Sequence, residues 1–313
     1  MNDLSEKIKR LPKTMLDAAD VEETILLAQQ IDREYEQLSL EEKKQCTEIE
    51  RVKELLNGNS SALDLEHIPC RESILQGKRI GYLGSSITVG MKSENVAFPD
   101  YIGKITGSTT LKQAISGGTL AYKQSDAVHD YREKISYIKQ LLDQDGILHS
   151  GPVDLLLVQL STNDTTMDIS LGQVSGTEKT IGFDYTTVIG AIECIISTAS
   201  VIWNCPVLFY TNPNIQPEEY CTMDEKTQKH IHDNLVVKYD KMVQALYEVQ
   251  KKWNIGIIDL WNDPSFREID CDIKKYYMAD IIHPYKSGYY FWYTPKIQNA
   301  LEQFYADHVK HSS

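Results

Sequence analysis

From Lys78 onward the sequence alternates short, unbroken apolar runs with amphipathic stretches, and no other feature constrains the fold as strongly. The runs are RIGYLG (79–84), LKQAIS (111–116), VDLLLVQLS (153–161), PVLFYTN (206–212) and IGIIDL (255–260). Helical spacing of apolar residues marks the intervening stretches near 97–106, 127–143, 184–200, 224–252 and 286–308. Strands that are apolar on both faces and alternate with helices belong to a parallel sheet covered on both sides. The expected fold class is therefore α/β. In such sheets ligands bind at the carboxyl ends of the strands, near the point where the strand order reverses. Residues just after each run are the candidates for chemistry.

The first 58 residues follow a different pattern. They are rich in Glu, Lys, Gln and Leu and contain no glycine before Gly58. Asp20 with Glu23, and Ser39 with Glu42, have the spacing of capping boxes. Ile25, Leu26, Ala28, Ile31 and Tyr35 recur at helical intervals, and Asn57-Gly58 is a helix stop signal. With a short helix over 3–10, the reading is a three-helix bundle over 1–58, a connector over 59–75 and an α/β domain over 76–313. The helical segment is expected to be dispensable for chemistry.

Composition narrows the function classes. There are 45 acidic residues against 32 Lys plus Arg, a net charge of -13. That balance argues against a protein that grips a phosphate backbone, which needs clustered cations. No apolar run approaches the roughly 18 residues of a membrane-spanning helix. The start MNDLSEKIKRLPK has no apolar core of a secretory leader, so the expected location is cytoplasmic. The six cysteines are scattered without a C-x-x-C, and they read as reduced thiols without a role.

Four segments carry candidate chemistry. The first run ends in Gly84-Ser85-Ser86-Ile87-Thr88, where a hydroxyl stands at a strand-to-helix turn; it is a nucleophile beside backbone N–H groups, or a helix cap. The second ends in Ser116-Gly117-Gly118-Thr119, where a backbone N–H can approach a ligand closely, or which is an ordinary turn. The third ends in Ser161-Thr162-Asn163-Asp164, whose Asn donates to an oxyanion or caps the next segment. Near the C-terminus, Asp280-Ile281-Ile282-His283-Pro284 puts an acid three residues before a histidine, the pairing that fixes the tautomer of a general base. His230 and His232, two apart on a helical stretch, read as solvated rather than as a metal pair. His129 and His149 have no recognisable context.

In this order the four blocks resemble those of the SGNH, or GDSL-like, hydrolase superfamily, over residues 76–308. The resemblance implies a three-layer α/β/α sandwich of flavodoxin-like type with about five parallel strands. It implies Ser86 as nucleophile, His283 as base and Asp280 as its orienting acid. The oxyanion hole would be the N–H groups of Ser86 and Gly117 with the Asn163 side chain. Ser85 stands where the family name has Asp, and Ser161 where the third block usually has Gly; neither is a catalytic position. Residues 1–58 also resemble a small helical module of Gram-positive surface proteins, through Leu11-Pro12, Asp20 and Tyr35 to Lys43. The usual extracellular setting of that module conflicts with the missing leader.

Rival readings fit less well. A phosphate-binding loop at Gly84–Gly90 has five residues between its glycines instead of four, and Met91 separates Gly90 from Lys92. An α/β-hydrolase elbow, G-x-S-x-G, would need Gly where Thr88 stands. A binding module that had lost its chemistry would not need Ser86, Asn163, Asp280 and His283 together. The implied activity is hydrolysis of a carboxylic ester without metal or organic cofactor. The polar segments 117–126, 161–170 and 212–220 favour a short acyl group, acetyl above all, on a carbohydrate; a lipase or acyl thioesterase of the same fold is the alternative. The expected partner is a small-molecule or carbohydrate ester, not nucleic acid and not a membrane. The polar stretch 164–184 is either a pocket wall or a surface excursion.

Overall fold

The computed structural model describes residues 7, 10, 21–37, 57–123, 136–176, 182–214, 224–267 and 271–312. Five strands, β1 (Arg79–Gly84), β2 (Thr109–Ala114), β3 (Leu155–Gln159), β4 (Val207–Tyr210) and β5 (Gly256–Ile258), form one sheet in the order β2-β1-β3-β4-β5. Every pairing is parallel. Each of the five apolar runs read from the sequence is one of these strands.

The helices that flank the sheet or carry site residues are α1 (Val21–Glu36), α2 (Ser86–Val89, a single turn), α3 (Phe98–Thr106), α4 (Tyr137–Leu142), α5 (Asn163–Thr166, also a single turn), α6 (Val188–Trp203), α7 (Val237–Trp253), α8 (Cys271–Tyr277) and α9 (Thr294–Ser312); two further short helices run over Glu225–Ile231 and Pro264–Arg267. Wider π-type turns over His232–Val236 and Gly288–Tyr293 lead into α7 and α9.

Because side chains of a strand alternate between faces, β3 feeds two cores at once. Leu156 and Val158 pack with α4, α6 and α7 on one side. Leu155 and Leu157 pack with α3, the Gly288–Tyr293 turn and α9 on the other. All of them are fully buried, which is why the run 153–161 shows no alternation in sequence. The result is the three-layer α/β/α sandwich. The aromatic run 289–293 serves the second core, with Tyr289 and Tyr293 fully buried.

The segment expected to form the N-terminal bundle is described only in part. Helix α1 matches the central expected helix, and its buried Ile25 belongs to the same core cluster as Tyr277, Met278 and the α3 aromatics. The other expected helices of 1–58 fall almost wholly outside the described residues. The connector forms two short 3-10 turns, Ser61–Leu63 and Leu65–His67. Among the described residues, no helix is long and apolar enough to cross a membrane.

Candidate active site

The strand order reverses between β1 and β3, where connections from the central strands leave in opposite directions and open a crevice at their carboxyl ends. Ser86 follows β1, Gly117 follows β2 and Asn163 follows β3, so three neighbouring strands deliver three of the predicted residues to one edge.

Ser86 and Ser85 point different ways. Ser85 is buried, and Gln159 Oε1 at the end of β3 accepts its backbone N–H at 2.9 Å and its hydroxyl at 3.2 Å. The same oxygen accepts from Thr88 Oγ1 at 2.9 Å, and Thr88 Oγ1 lies 2.7 Å from Tyr210 Oη. Tyr289 Oη donates to the Ile87 carbonyl at 2.8 Å. The turn is thus fastened from beneath by β3, β4 and the last helical layer, leaving the Ser86 side chain on the opposite side. There Ser86 Oγ lies 2.9 Å from His283 Nε2.

His283 is held in one orientation. Its Nδ1 lies 2.8 Å from Asp280 Oδ2 and 3.0 Å from Oδ1. A carboxylate only accepts, so Nδ1 carries the proton and Nε2 is left to accept from the Ser86 hydroxyl. Asp280 Oδ1 also accepts the backbone N–H groups of Ile282 and His283, each at 2.8 Å. The three-residue spacing read from the sequence is therefore a self-closing loop in which the acid caps the backbone that presents the base. Burial pushes the Asp280 carboxyl up, but hydrogen bonds from the His283 ring and these backbone groups outweigh it and hold the carboxyl below its usual range.

The expected oxyanion donors follow the adjacent strands β1, β2 and β3. Gly117 has φ +81°, a left-handed conformation that suits glycine, and a Cβ there would meet nothing within 4 Å. Among the described residues, no acceptor takes the N–H of Ser86 or of Gly117. Asn163 Nδ2 donates to the Gly118 carbonyl at 2.8 Å, which ties the β3 end to the β2 end. An amide carries two N–H bonds, and this one orients the group while leaving the second free.

Three residues matter here to which sequence reasoning assigned no positioning role, though Ser161 stood out as a departure from the usual Gly. Gln159 holds the turn that carries Ser86, but nothing in a strand sequence marks which polar residue faces a neighbouring turn. Ser161 Oγ donates to the Gly118 carbonyl at 2.9 Å and accepts the Asn163 N–H at 3.1 Å, so the departure from Gly adds a tether. Asp164 is 1% exposed, and its carboxylate accepts the N–H groups of Leu120 and Ala121 at 2.8 and 3.1 Å. Burial pushes its pKa up to about 6, against the pull of those two hydrogen bonds. It fixes the loop that follows Gly117.

The surroundings are less polar than the sequence suggested. Met91, Ile115 and Met167 are exposed apolar side chains close in sequence to Ser86, Gly117 and Asn163. In the stretch 164–184, Ile169, Leu171 and Val174 pack against the core, and Ser175 is bonded to the buried Glu193. That half of the stretch is a clamped surface segment, and 177–181 lie outside the described residues. His230 and His232 are both exposed. His149 Nε2 lies 2.8 Å from the Leu141 carbonyl, in a packing role.

Neither a family model nor a curated protein matches the sequence. Solved structures do match. One is 20% identical over 72% of this chain and 97% of its own, with a TM-score of 0.51. An extracellular lipase from Streptomyces rimosus aligns at 13% identity over 72% of this chain and 100% of its own, with a TM-score of 0.47. A GDSL-like lipase candidate from Bacteroides ovatus aligns at 16% identity over 74% and 99%, with a TM-score of 0.43. At 20% identity the first of these likenesses is one of fold, and it establishes the α/β/α sandwich as an architecture shared with a known structure.

Proposed function

We propose that this chain is a serine esterase of the SGNH, or GDSL-like, type, with Ser86 as nucleophile, His283 as general base and Asp280 as its orienting acid. The observation that carries the reading is the hydrogen-bonded series Asp280–His283–Ser86, with contacts of 2.8 and 2.9 Å. In the reaction, His283 Nε2 takes the Ser86 proton as Oγ attacks the ester carbonyl carbon. The resulting oxyanion accepts from the N–H groups of Ser86 and Gly117 and from Asn163 Nδ2. Collapse breaks the bond to the alcohol, which leaves with the proton held by His283. Water, deprotonated by the same nitrogen, then attacks the acyl-enzyme and releases the acid.

The acyl group proposed is short, acetyl above all, and the leaving group a carbohydrate. A small cavity that Ile282 shares with the catalytic loop, and that neither Ser86 nor His283 lines, is the space this reading assigns to the acyl methyl. It is lined by Thr162, Asn212, Pro213, Leu235, Val236, Trp261 and Ile282, and has about 10 Å³ of room. That is space for about one water-sized group, such as a methyl. Thr162 and Ile282 are the chain neighbours of Asn163 and His283. The polar sequence of 161–166 supports a polar leaving group.

A longer acyl chain, as in a lipase or thioesterase, is the second reading, favoured by the exposed Met91, Ile115 and Met167. A series of p-nitrophenyl esters from acetate to palmitate, run beside acetylated sugars and acyl thioesters, separates the two. A kcat/KM maximum at acetate supports the first, and a maximum at eight carbons or beyond supports the second.

A further inference from the structure

We propose that Gly58 and the start of the connector, through Asp64, form a positioning element of the active site, acting through Lys286 to hold the His283 loop in register with the nucleophile turn. The proposal builds on the triad reading above and assigns a catalytic consequence to a segment that contains none of the four blocks.

The loop that carries Asp280 and His283 is internally closed. The Ala279 N–H donates to the His283 carbonyl at 2.8 Å, and the Tyr285 N–H donates to the Tyr277 carbonyl at 2.8 Å. Met278 and Pro284 pair as an isolated antiparallel bridge. Those bonds fix the loop's shape. Its distance from Ser86 depends on what anchors its base, which is Lys286 and Ser287.

Both anchors reach the connector. The Ser287 N–H donates to the Gly58 carbonyl at 2.9 Å, and the Lys286 N–H donates to Asn59 Oδ1 at 3.0 Å. Lys286 is 1% exposed, and its Nζ lies 2.5 Å from Asp64 Oδ1 and 2.5 Å from Glu94 Oε2. A buried ammonium is retained only where such partners compensate its lost hydration.

Glu94 brings in the nucleophile. It lies in the segment that leaves α2, where the Met91 N–H still donates to the Ser86 carbonyl at 3.0 Å. Lys92, Glu94 and Asn95 all have left-handed backbone, with φ of 70°, 57° and 62°. Such conformations persist where surrounding contacts impose them. Asn59 supplies one, since its Nδ2 donates to the Lys92 carbonyl at 2.9 Å. One connector side chain therefore touches both the segment after Ser86 and the segment after His283, and the Lys286 ammonium does the same through Asp64 and Glu94.

Gly58 shows how closely the connector is pressed against the loop. A Cβ at this position would lie 2.5 Å from the Tyr285 ring and 2.6 Å from the Tyr276 carbonyl oxygen. Glycine is required there by the approach of the two segments, a constraint separate from ending a helix.

The test compares Lys286→Met and Asn59→Ala with wild type in the full chain. The readings are kcat and KM on p-nitrophenyl acetate, thermal melting, and the low-field proton resonance of His283 Nδ1. Asp64 and Glu94 are partly exposed and regain water once Lys286 is gone, so both variants are expected to melt cooperatively. Expected are a kcat loss of about 10–10²-fold, the scale set by misplacement of about 1 Å, with KM little changed and the His283 resonance shifted or lost. Should Lys286→Met fail to fold, Asn59→Ala gives the same readings without touching a charge. A folded Asn59→Ala chain with wild-type kcat and an unchanged resonance would overturn the proposal and make the connector a stabilising contact only. A wild-type chain that hydrolyses no ester would count against the esterase reading, and the resonance would then decide this one alone.

Discussion

The side-chain carbonyl of Gln159 accepts both the backbone N–H and the hydroxyl of Ser85, at 2.9 and 3.2 Å. Of two adjacent serines, one is thereby committed to the interior and the other to the histidine. The first prediction follows. Ser86→Ala lowers ester hydrolysis by several orders of magnitude with the fold retained, and Ser85→Ala keeps most of the activity. The reverse pattern in a side-by-side rate measurement would move the nucleophile by one residue.

Asn163 is expected to act on the transition state more than on substrate binding. Asn163→Ala lowers kcat by roughly 10²–10³, the usual loss for one oxyanion donor, with a smaller change in KM. Part of that loss comes from releasing the Gly118 carbonyl, to which Nδ2 also donates. Asp280→Ala is less damaging than His283→Ala, because the acid orients and the base moves the proton. Steady-state kinetics of the three variants check this, and equal, mild effects would contradict the assigned roles.

The small cavity makes a prediction about acyl length. Leu235 is a buried wall residue on the π-type turn before α7. Leu235→Ala enlarges the space and shifts the kcat/KM optimum from acetate toward butyrate. An unchanged optimum in a folded variant would place the acyl group elsewhere, toward Met91 and Met167.

Asp164 gives a pH signature of stability. Its folded-state pKa is raised from 3.8 to about 6. The stability this contributes is fully present below about pH 3.8 and is lost as pH rises through about 6. At about 1.4 kcal/mol per pH unit, the swing is on the order of 3 kcal/mol. Wild type should therefore gain Tm relative to Asp164→Asn on going from pH 7 to pH 4. Asp280 acts in the opposite sense: its lowered pKa contributes stability above the usual carboxyl range, lost as pH falls through the folded value. Melting curves of wild type and Asp164→Asn across that range check the first effect. A Tm difference independent of pH would contradict it.

Much of this was legible in the sequence. All five strands were visible because a doubly covered strand must be apolar on both faces, and Leu155–Gln159 shows that requirement most plainly. Asp280 and His283 were legible because their partnership is local, closed within three residues. Gln159, Ser161 and Asp164 were not, since each acts on a segment distant in sequence, and a polar residue at a strand end has the same appearance whether it faces solvent or a turn. Polar loop sequence also hid Ile169, Leu171 and Val174, which the fold turns inward.

The proposed role of the connector bears on one expectation. The sequence suggests that a chain starting near residue 70 keeps its chemistry. Gly58, Asn59 and Asp64 hold the His283 loop and the segment after Ser86, so that truncation is now expected to lose at least about 10-fold in kcat on a small ester. Full activity in a folded 70–313 chain would contradict this.

The central claim is that Ser86 is a nucleophile activated by His283. Labelling with a fluorophosphonate serine probe, followed by peptide mass mapping, tests it most directly. One adduct is expected, on Ser86, absent from Ser86→Ala and strongly slowed in His283→Ala. A folded wild-type chain that takes no label, or takes it on another serine, would contradict it.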